Sequence, residues 1–392
     1  MEGKHLKVVQ VVNSLAIGGA EIFVAQLAGA LSTRCTVQVW TYAGMLDAGG
    51  DAMRDQLEKL GVSVRSLNIT RAGKKTMIPL LWRRWMQQEQ PDVVNAHLDQ
   101  SEFFIAAAAL GKWKRPVLLR TVHNTRVIAP LRHVQRWVAS RFDHTIACSD
   151  AVLSSPARAL TPERSSMVPC GIVVPPIPDA FRRDQLRRKL LLSENKVVML
   201  CIGTMNLRCG ELAKGQDQIL REFAAARLAS RSFLVFLGDG AQRPALEELA
   251  AELGVSSSVR FCGLAQPERK WDYIMACDCG LILSRFEGLP LVGMEFGCAG
   301  IPMLISDIAE LKPFATRGSL VARNGAISEA MAEIVEGMPA ISAEARAMAG
   351  YYRSRYTIEA SADAYYQLYL NSLMANNRAS ANSIARQNAP RA

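Results

Sequence analysis

The sequence predicts an α/β protein made of two doubly wound parallel-sheet domains. Three observations predict it. Strand-sized apolar runs alternate with helical stretches along most of the chain, the pattern of a parallel sheet covered by helices. That alternation pauses once, at the proline-rich Val173-Val-Pro-Pro-Ile-Pro178, which reads as an extended linker. The 392 residues, 49% of them hydrophobic, are enough for two cores of ordinary size.

The elements follow in order. Val8 to Asn13 is an apolar strand, and its loop ends in Gly18-Gly19 before a helix from Ala20 to Leu31. A glycine turn between a first strand and a helix lets backbone approach a phosphate. The full GxGxxG pattern is absent, which argues against a nicotinamide or flavin. A strand at Thr36–Tyr42, a helix at Ala52–Leu60 and a short strand at Val62–Leu67 come next. Asp92–His97 is a strand, followed by an Ala-rich helix from Gln100 to Gly111. Val117–Val122, His144–Cys148 and Ser166–Pro169 complete the first series. A basic helix, Arg182–Leu192, opens the second half. Its strands are Lys196–Gly203, Phe233–Leu237, Val259–Cys262, Gly280–Leu283 and Met303–Ile305.

The expected division is a first domain over 1–172, a linker over 173–181 and a second domain over 182–356. A last helix over 357–373 is expected to pack back toward the first domain, and a polar, disordered tail fills 374–392. No apolar stretch approaches the length of a membrane span and no secretory signal opens the chain. The nine cysteines lack paired CxxC spacing and read as reduced, buried thiols of a cytoplasmic protein rather than a zinc site.

The segment with the most chemistry is 279–304. An apolar strand leads through Ser284-Arg-Phe-Glu287-Gly-Leu-Pro290 into a helix that carries Glu295 and closes at Gly300 and Pro302. Loops of this kind sit at the carboxyl ends of parallel strands, where ligands bind. The amides of Gly288, Leu289 and Leu291 at the helix start form an anion site. Glu287 and Glu295 flank it. Carboxylates beside an anion site have a use when the same ligand carries hydroxyls, because a carboxylate accepts two hydrogen bonds from a vicinal diol. A phosphate joined to polyols, as in a nucleotide sugar, meets both demands.

The phrase Ser-x-x-Glu-Gly-x-Pro-x-x-x-x-Glu-x-x-x-x-Gly-x-Pro resembles the signature of retaining glycosyltransferases of the family 4 type. Gly18-Gly19-Ala20-Glu21 resembles a turn of the same family. The resemblance covers roughly residues 8–370. It implies two Rossmann-like domains facing across a cleft, the GT-B architecture. It also implies transfer of a sugar from a nucleotide-sugar donor to an acceptor hydroxyl with retention of configuration, in cell-surface polysaccharide, lipopolysaccharide or glycolipid synthesis.

By the same resemblance, Glu295 binds the ribose diol and Glu287 contacts the sugar. Lys214, Gly288 and Leu289 hold the diphosphate, and the backbone of Leu264 lies against the base. His123 and Gly19 approach from the first domain, with His97 on the acceptor side. Two departures stand out. Lys214-Gly215 matches the family, but Thr204 or Met205 stands where an arginine is expected, in a longer loop whose Arg208 is the substitute candidate. Cys170-Gly171-Ile172-Val173 keeps only the glycine of the family's Asn-Gly-x-Asp. An impaired, scaffolding member of the same fold is therefore the alternative, and a nucleotide-sugar epimerase a more distant one.

No Asp-x-Asp pair and no P-loop occurs. Neither a metal nor another cofactor is expected. The net charge of +10 and the pI of about 9.3 suit anionic partners. No nucleic-acid motif accompanies that charge. The mixture of basic residues with Trp82 and Trp85 in Arg71–Trp85 is one that lies on an anionic membrane surface. The expected location is thus cytoplasmic, with a peripheral position on the inner membrane face and a glycan or lipid-linked acceptor.

Overall fold

The computed structural model describes residues 6–387 except 17, 112, 126–131, 159, 177–179, 209, 288–289 and 324. The chain forms two compact units. The first comprises Met1–Gly171 and Ile358–Ala392, the second Ile172–Thr357, so the chain passes between them twice.

The first unit holds a seven-stranded parallel sheet. Its strands are β1 (Lys7–Val12), β2 (Thr36–Thr41), β3 (Ser63–Ser66), β4 (Val93–His97), β5 (Val117–Val122), β6 (His144–Ala147) and β7 (Ser165–Met167), in the order β3-β2-β1-β4-β5-β6-β7. β1, β4 and β5 are buried along nearly their whole length, which is why they read as unbroken apolar runs. The helices are α1 (Gly19–Leu31), α2 (Ala48–Lys59), α3 (Ile78–Glu89), α4 (Asp99–Ala108), α5 (Arg132–Ala139) and α6 (Asp150–Leu153).

The second unit opens with α7 (Ala180–Lys189). Its six-stranded sheet has β8 (Val197–Ile202) at the centre. A small antiparallel hairpin of β9 (Leu207–Arg208) and β10 (Glu211–Leu212) follows. The remaining strands are β11 (Ser232–Leu237), β12 (Val259–Phe261), β13 (Cys279–Ile282), β14 (Met303–Ser306) and β15 (Ser319–Ala322), giving the order β12-β11-β8-β13-β14-β15. The helices are α8 (Gln216–Ala225), α9 (Arg243–Glu252), α10 (Pro267–Ala276), α11 (Leu291–Ala299), α12 (Ile327–Glu336) and α13 (Met338–Tyr356). The last helix, α14 (Ile358–Gln387), belongs to the first unit.

In each sheet the strand order reverses beside the first strand of the unit, between β1 and β4 and between β8 and β13. Loops leaving the carboxyl ends of such neighbours diverge and open a crevice.

The twelve expected strands lie within two residues of observed ones. β9, β10 and β15 were not read from the sequence. α2 starts four residues earlier than expected because the Asp47 side chain accepts from Gly50 N–H at 2.7 Å and caps the helix. The basic helix α7 begins at Ala180, inside the expected 173–181 linker, of which 177–179 lie outside the described residues.

The tail is a correction: α14 continues through 374–387, where disorder was expected, and 388–392 lie outside the described residues. The alanines of this segment favour helix and no proline occurs before Pro390.

The stretch Arg71–Trp85 is corrected in part. Trp82 and Ile78 are fully buried, and Trp85 packs edge-on to Trp40 under the Arg65 guanidinium, 4.2 Å from its ring centre. The tryptophans anchor the core, and it is Met77 and Leu80, 53% and 66% exposed, that face outward. No helix among the described residues is long and apolar enough to cross a membrane.

α11 is buried on all sides, and glycines make that packing possible. A Cβ on Gly297 would stand 2.5 Å from the Tyr352 ring of α13, and one on Gly293 2.9 Å from the Phe314 ring. Gly297→Ala is expected to destabilise the protein by about 1–3 kcal/mol through overpacking. Calorimetry should show a lowered Tm; an unchanged Tm would mean that α11 and α13 have room to part.

Candidate active site

In the second unit, the loops leaving β8 and β13 are fastened to each other. Arg285 does most of this. Its amide donates to Ala213 O at 2.9 Å, its guanidinium to Leu212 O at 2.6 Å, and a two-point pair with Asp217 closes at 2.8 Å on both oxygens. This fork geometry suits arginine alone, and the pair lowers the carboxyl pKa of Asp217 against the desolvation that raises it. Gly215 takes φ +68°, and any Cβ there would run into Leu283 O. It is glycine because both the turn and the close approach require it.

Between the fastened loops lie the charges. Lys214 Nζ pairs with Glu287 Oε1, which also accepts from Ser284 Oγ at 2.7 Å. The stem of Lys214 lies over Gly203, where a Cβ would meet it at 2.6 Å. Glu295, four residues into α11, is 4% exposed and pairs through Oε1 with Lys270 Nζ of α10. Pro290, read from the sequence as the first helical residue, is instead the extended cap before Leu291, and Gly300 ends α11 at φ +67°, as the sequence implied. Gly288 and Leu289, the expected phosphate amides, lie outside the described residues.

Other expected donor positions spread around this centre. Thr204 is exposed and Met205 is fully buried in the core, so neither supplies the missing cation. Arg208 sits exposed on the β9–β10 hairpin and makes no ion pair among the described residues. Leu264, beyond the Gly238–Gly263 bridge, is 62% exposed. The outward leucine side chain is an apolar surface beside the backbone that was expected to meet a base.

In the first unit, His97 and His123 come together at the carboxyl ends of adjacent strands. Their rings stack with centroids 5.3 Å apart. The hydrogen bonds form a one-way chain. Gln10 Oε1 only accepts, so His97 donates to it from Nε2 at 2.8 Å. Asn95 Nδ2 also lies 3.1 Å from that nitrogen, and in a neutral His97 of this tautomer Nδ1 accepts from His123 Nε2–H at 3.0 Å. That leaves His123 Nδ1 as an acceptor facing the weak Cys170 S–H donor at 3.8 Å. Gln10 passes the chain to Tyr369 of α14 at 2.9 Å, and Tyr369 also meets Asn95 at 3.2 Å.

Burial favours the neutral form of both imidazoles. Burial depresses the pKa of each, His123 to about 4 with help from nearby Arg158, and His97 well below the usual range with help from His123. Gly19, the first residue of α1, is exposed with open space where a side chain would be.

The sequence reading missed Gln10, Asn95, Tyr369 and Lys270. The first two left a signal, a polar residue inside an otherwise apolar strand. The tyrosines Tyr365 and Tyr369 share a face at helical spacing. Lys270 left none. The described cysteines are unpaired, and all but Cys262 are buried. Burial raises the Cys201 thiol beside Lys214 to about 12, so it is inert. Among the described residues no group of His, Cys, Asp and Glu is arranged to hold a metal ion.

The two α/β units and their switch-point loops define the GT-B fold. Structural likeness agrees with it: Anabaena HepE, in complex with UDP and glucose, superposes over 94% of this chain and 100% of its own with a TM-score of 0.73 at 18% identity. WaaG, a glycosyltransferase involved in lipopolysaccharide biosynthesis, does so over 91% and 98% with a TM-score of 0.69 at 16% identity.

The family model Glycosyltransferase Family 4 matches residues 17–174, and Glycosyl transferases group 1 matches residues 182–353. The chain belongs to the family 4 type of glycosyltransferases. A D-inositol 3-phosphate glycosyltransferase of Geodermatophilus obscurus is 26% identical over 297 residues, which are 72% of this chain and 63% of that protein. That of Nocardia farcinica is 34% identical over 154 residues, 36% and 33% respectively. The matches thus span less than two thirds of these relatives.

The neutral histidine pair gives a sign to the pH dependence. An imidazole in the unfolded chain binds a proton near pH 6.5, whereas folded His123 does so only near pH 4. The contribution is fully present above pH 6.5 and lost as pH falls toward 4, by up to about 3 kcal/mol for His123. Calorimetry from pH 7.5 to 4.5 is expected to show Tm falling below pH 6.5, with a shallower fall for the double variant His97→Asn/His123→Asn. Equal slopes would contradict a buried neutral pair.

Proposed function

We propose that the chain is a retaining hexosyl-type glycosyltransferase that moves a sugar from a nucleotide-sugar donor to an acceptor hydroxyl. The observation that carries this reading is the fastening of the Lys214 loop to the Glu287 loop at the β8–β13 switch point, beside the start of α11. It gathers a cation, a helix start and two carboxylates, which fit diphosphate and sugar hydroxyls in one ligand. Relatives support it: HepE has been seen with UDP-glucose, and the curated relatives named above are sugar transferases.

The chemistry follows from these groups. The diphosphate competes with Glu287 for Lys214. Its arrival releases Glu287, held in place by Ser284, to accept from a sugar hydroxyl. Lys214 and α11 stabilise the negative charge as the bond from the anomeric carbon to the phosphate oxygen breaks. The acceptor hydroxyl bonds that carbon on the same face and passes its proton to the leaving phosphate, so configuration is retained. Within the first unit, His123 keeps Nδ1 as an acceptor for a substrate hydroxyl, because a thiol at 3.8 Å is its only partner there among the described contacts. Arg208, exposed on the β9–β10 hairpin, supplies the charge of the expected arginine. No metal or other cofactor takes part.

The acceptor is a glycan or lipid-linked sugar, and the place of work is the inner face of the cytoplasmic membrane, in cell-surface glycan synthesis. Met77 and Leu80 project beside exposed Arg71, Lys74 and Arg84, the mixture an anionic interface attracts. A second reading, a scaffold that binds nucleotide without transfer, rests on buried Met205 where the cation is expected.

Transfer to a lipid-linked acceptor pool, with the product anomer read by NMR, tests the function. Retained configuration is expected; inversion or no product would refute it. Glu287→Gln should lower kcat at least ~100-fold while nucleotide affinity stays within about 3-fold. Glu295→Ala should weaken nucleotide binding ~10-fold or more in a protein whose circular dichroism spectrum stays that of the folded chain. Co-sedimentation with phosphatidylglycerol vesicles should fall for Leu80→Glu/Lys74→Glu, and unchanged sedimentation would remove the membrane assignment.

A further inference from the structure

Glu295 is the most deeply buried of the site's carboxylates, and it is only half satisfied. Oε1 pairs with Lys270 Nζ, yet Oε2 is buried with no hydrogen-bond partner among the described residues. Buried acceptors in native proteins are nearly always bonded, and a carboxylate oxygen is the one whose neglect is most unfavourable.

The buried pair of the first unit shows the contrast. There Arg120 bonds Glu102, Thr145 and Arg158 O together, and that network is complete within the unit. It fixes structure. The Glu295 pair instead leaves one carboxylate oxygen without a donor among the described residues. Lys270 is itself anchored on α10 and only 17% exposed, so it cannot swing far from Glu295.

We propose that Lys270 is a positioning residue that sets how the ribose is read: it occupies Oε1 and leaves Oε2 as the single acceptor for one ribose hydroxyl of a nucleoside diphosphate. This rests on the nucleotide-sugar reading of the site. It replaces the two-point grip on a vicinal diol expected for an isolated glutamate. One hydroxyl is recognised strongly and its neighbour weakly. Without Lys270 the buried carboxylate has no counter-charge, and the discrimination is lost with it.

The test is isothermal titration of the full chain with UDP, GDP and ADP, each also in its 2′-deoxy and 3′-deoxy form. For the base that binds, removing one hydroxyl should weaken binding ~10-fold or more, and removing the other by less than ~3-fold. Lys270→Met, which frees Oε1, should bring the penalties for the two hydroxyls within ~3-fold of each other with the circular dichroism spectrum unchanged, and Lys270→Arg should restore the difference. Equal penalties for both hydroxyls, or an undiminished difference in Lys270→Met, would overturn the role of Lys270 while leaving nucleotide recognition intact. Failure of the parent protein to bind any of the three diphosphates would overturn both.

Discussion

The loop cluster at the switch point of the second unit depends on Arg285. Two loops that leave neighbouring strands at a switch point have no reason of their own to stay together, because they run to opposite faces of the sheet. Arg285 joins them by donating to Ala213 O, Leu212 O and both oxygens of Asp217. The rest follows from that clasp. Gly215 is pressed against Leu283 O, Lys214 is brought to Glu287, and Ser284 is left facing the same carboxylate. The side chain that organises the site is therefore not one that contacts the proposed ligand.

The second theme is mutual neutralisation. Both acids pair with a lysine, Glu287 with Lys214 and Glu295 with Lys270. Such pairing keeps like charges from repelling each other in a partly desolvated pocket and makes each group available only in exchange for a better partner. The first unit solves a related problem with no charge at all. Its two histidines are aligned by Gln10 and by a tyrosine from the far end of the chain, so the carboxyl-terminal helix is part of the machinery that orients them.

The sequence made the sheets legible because parallel strands are buried on both faces and read as apolar runs. It made the site legible where the backbone constrains residue type: Gly215 at a positive φ, Gly300 at a helix end, Pro290 at a helix start. Short β9 and β10 carry no periodicity and escaped. The tail was misread because a polar surface was taken for disorder, while its alanines favour helix. Trp82 and Trp85 looked like interface anchors because composition does not say which way a helix faces. Lys270 was invisible, since a lysine on an amphipathic helix is ordinarily solvated and only the fold brings α10 to α11. The missing arginine was visible, but not that Met205 fills the core at that place.

The central claim is that the clasped loops bind a nucleotide sugar through lysine, helix start and carboxylates. Isothermal titration of the purified chain against UDP-, GDP- and ADP-linked sugars, with EDTA present, tests it most directly. Tight binding of the sugars of one base, unaffected by the chelator, is the result expected. No binding across the panel would contradict the account and would leave the scaffold reading without a nucleotide as well.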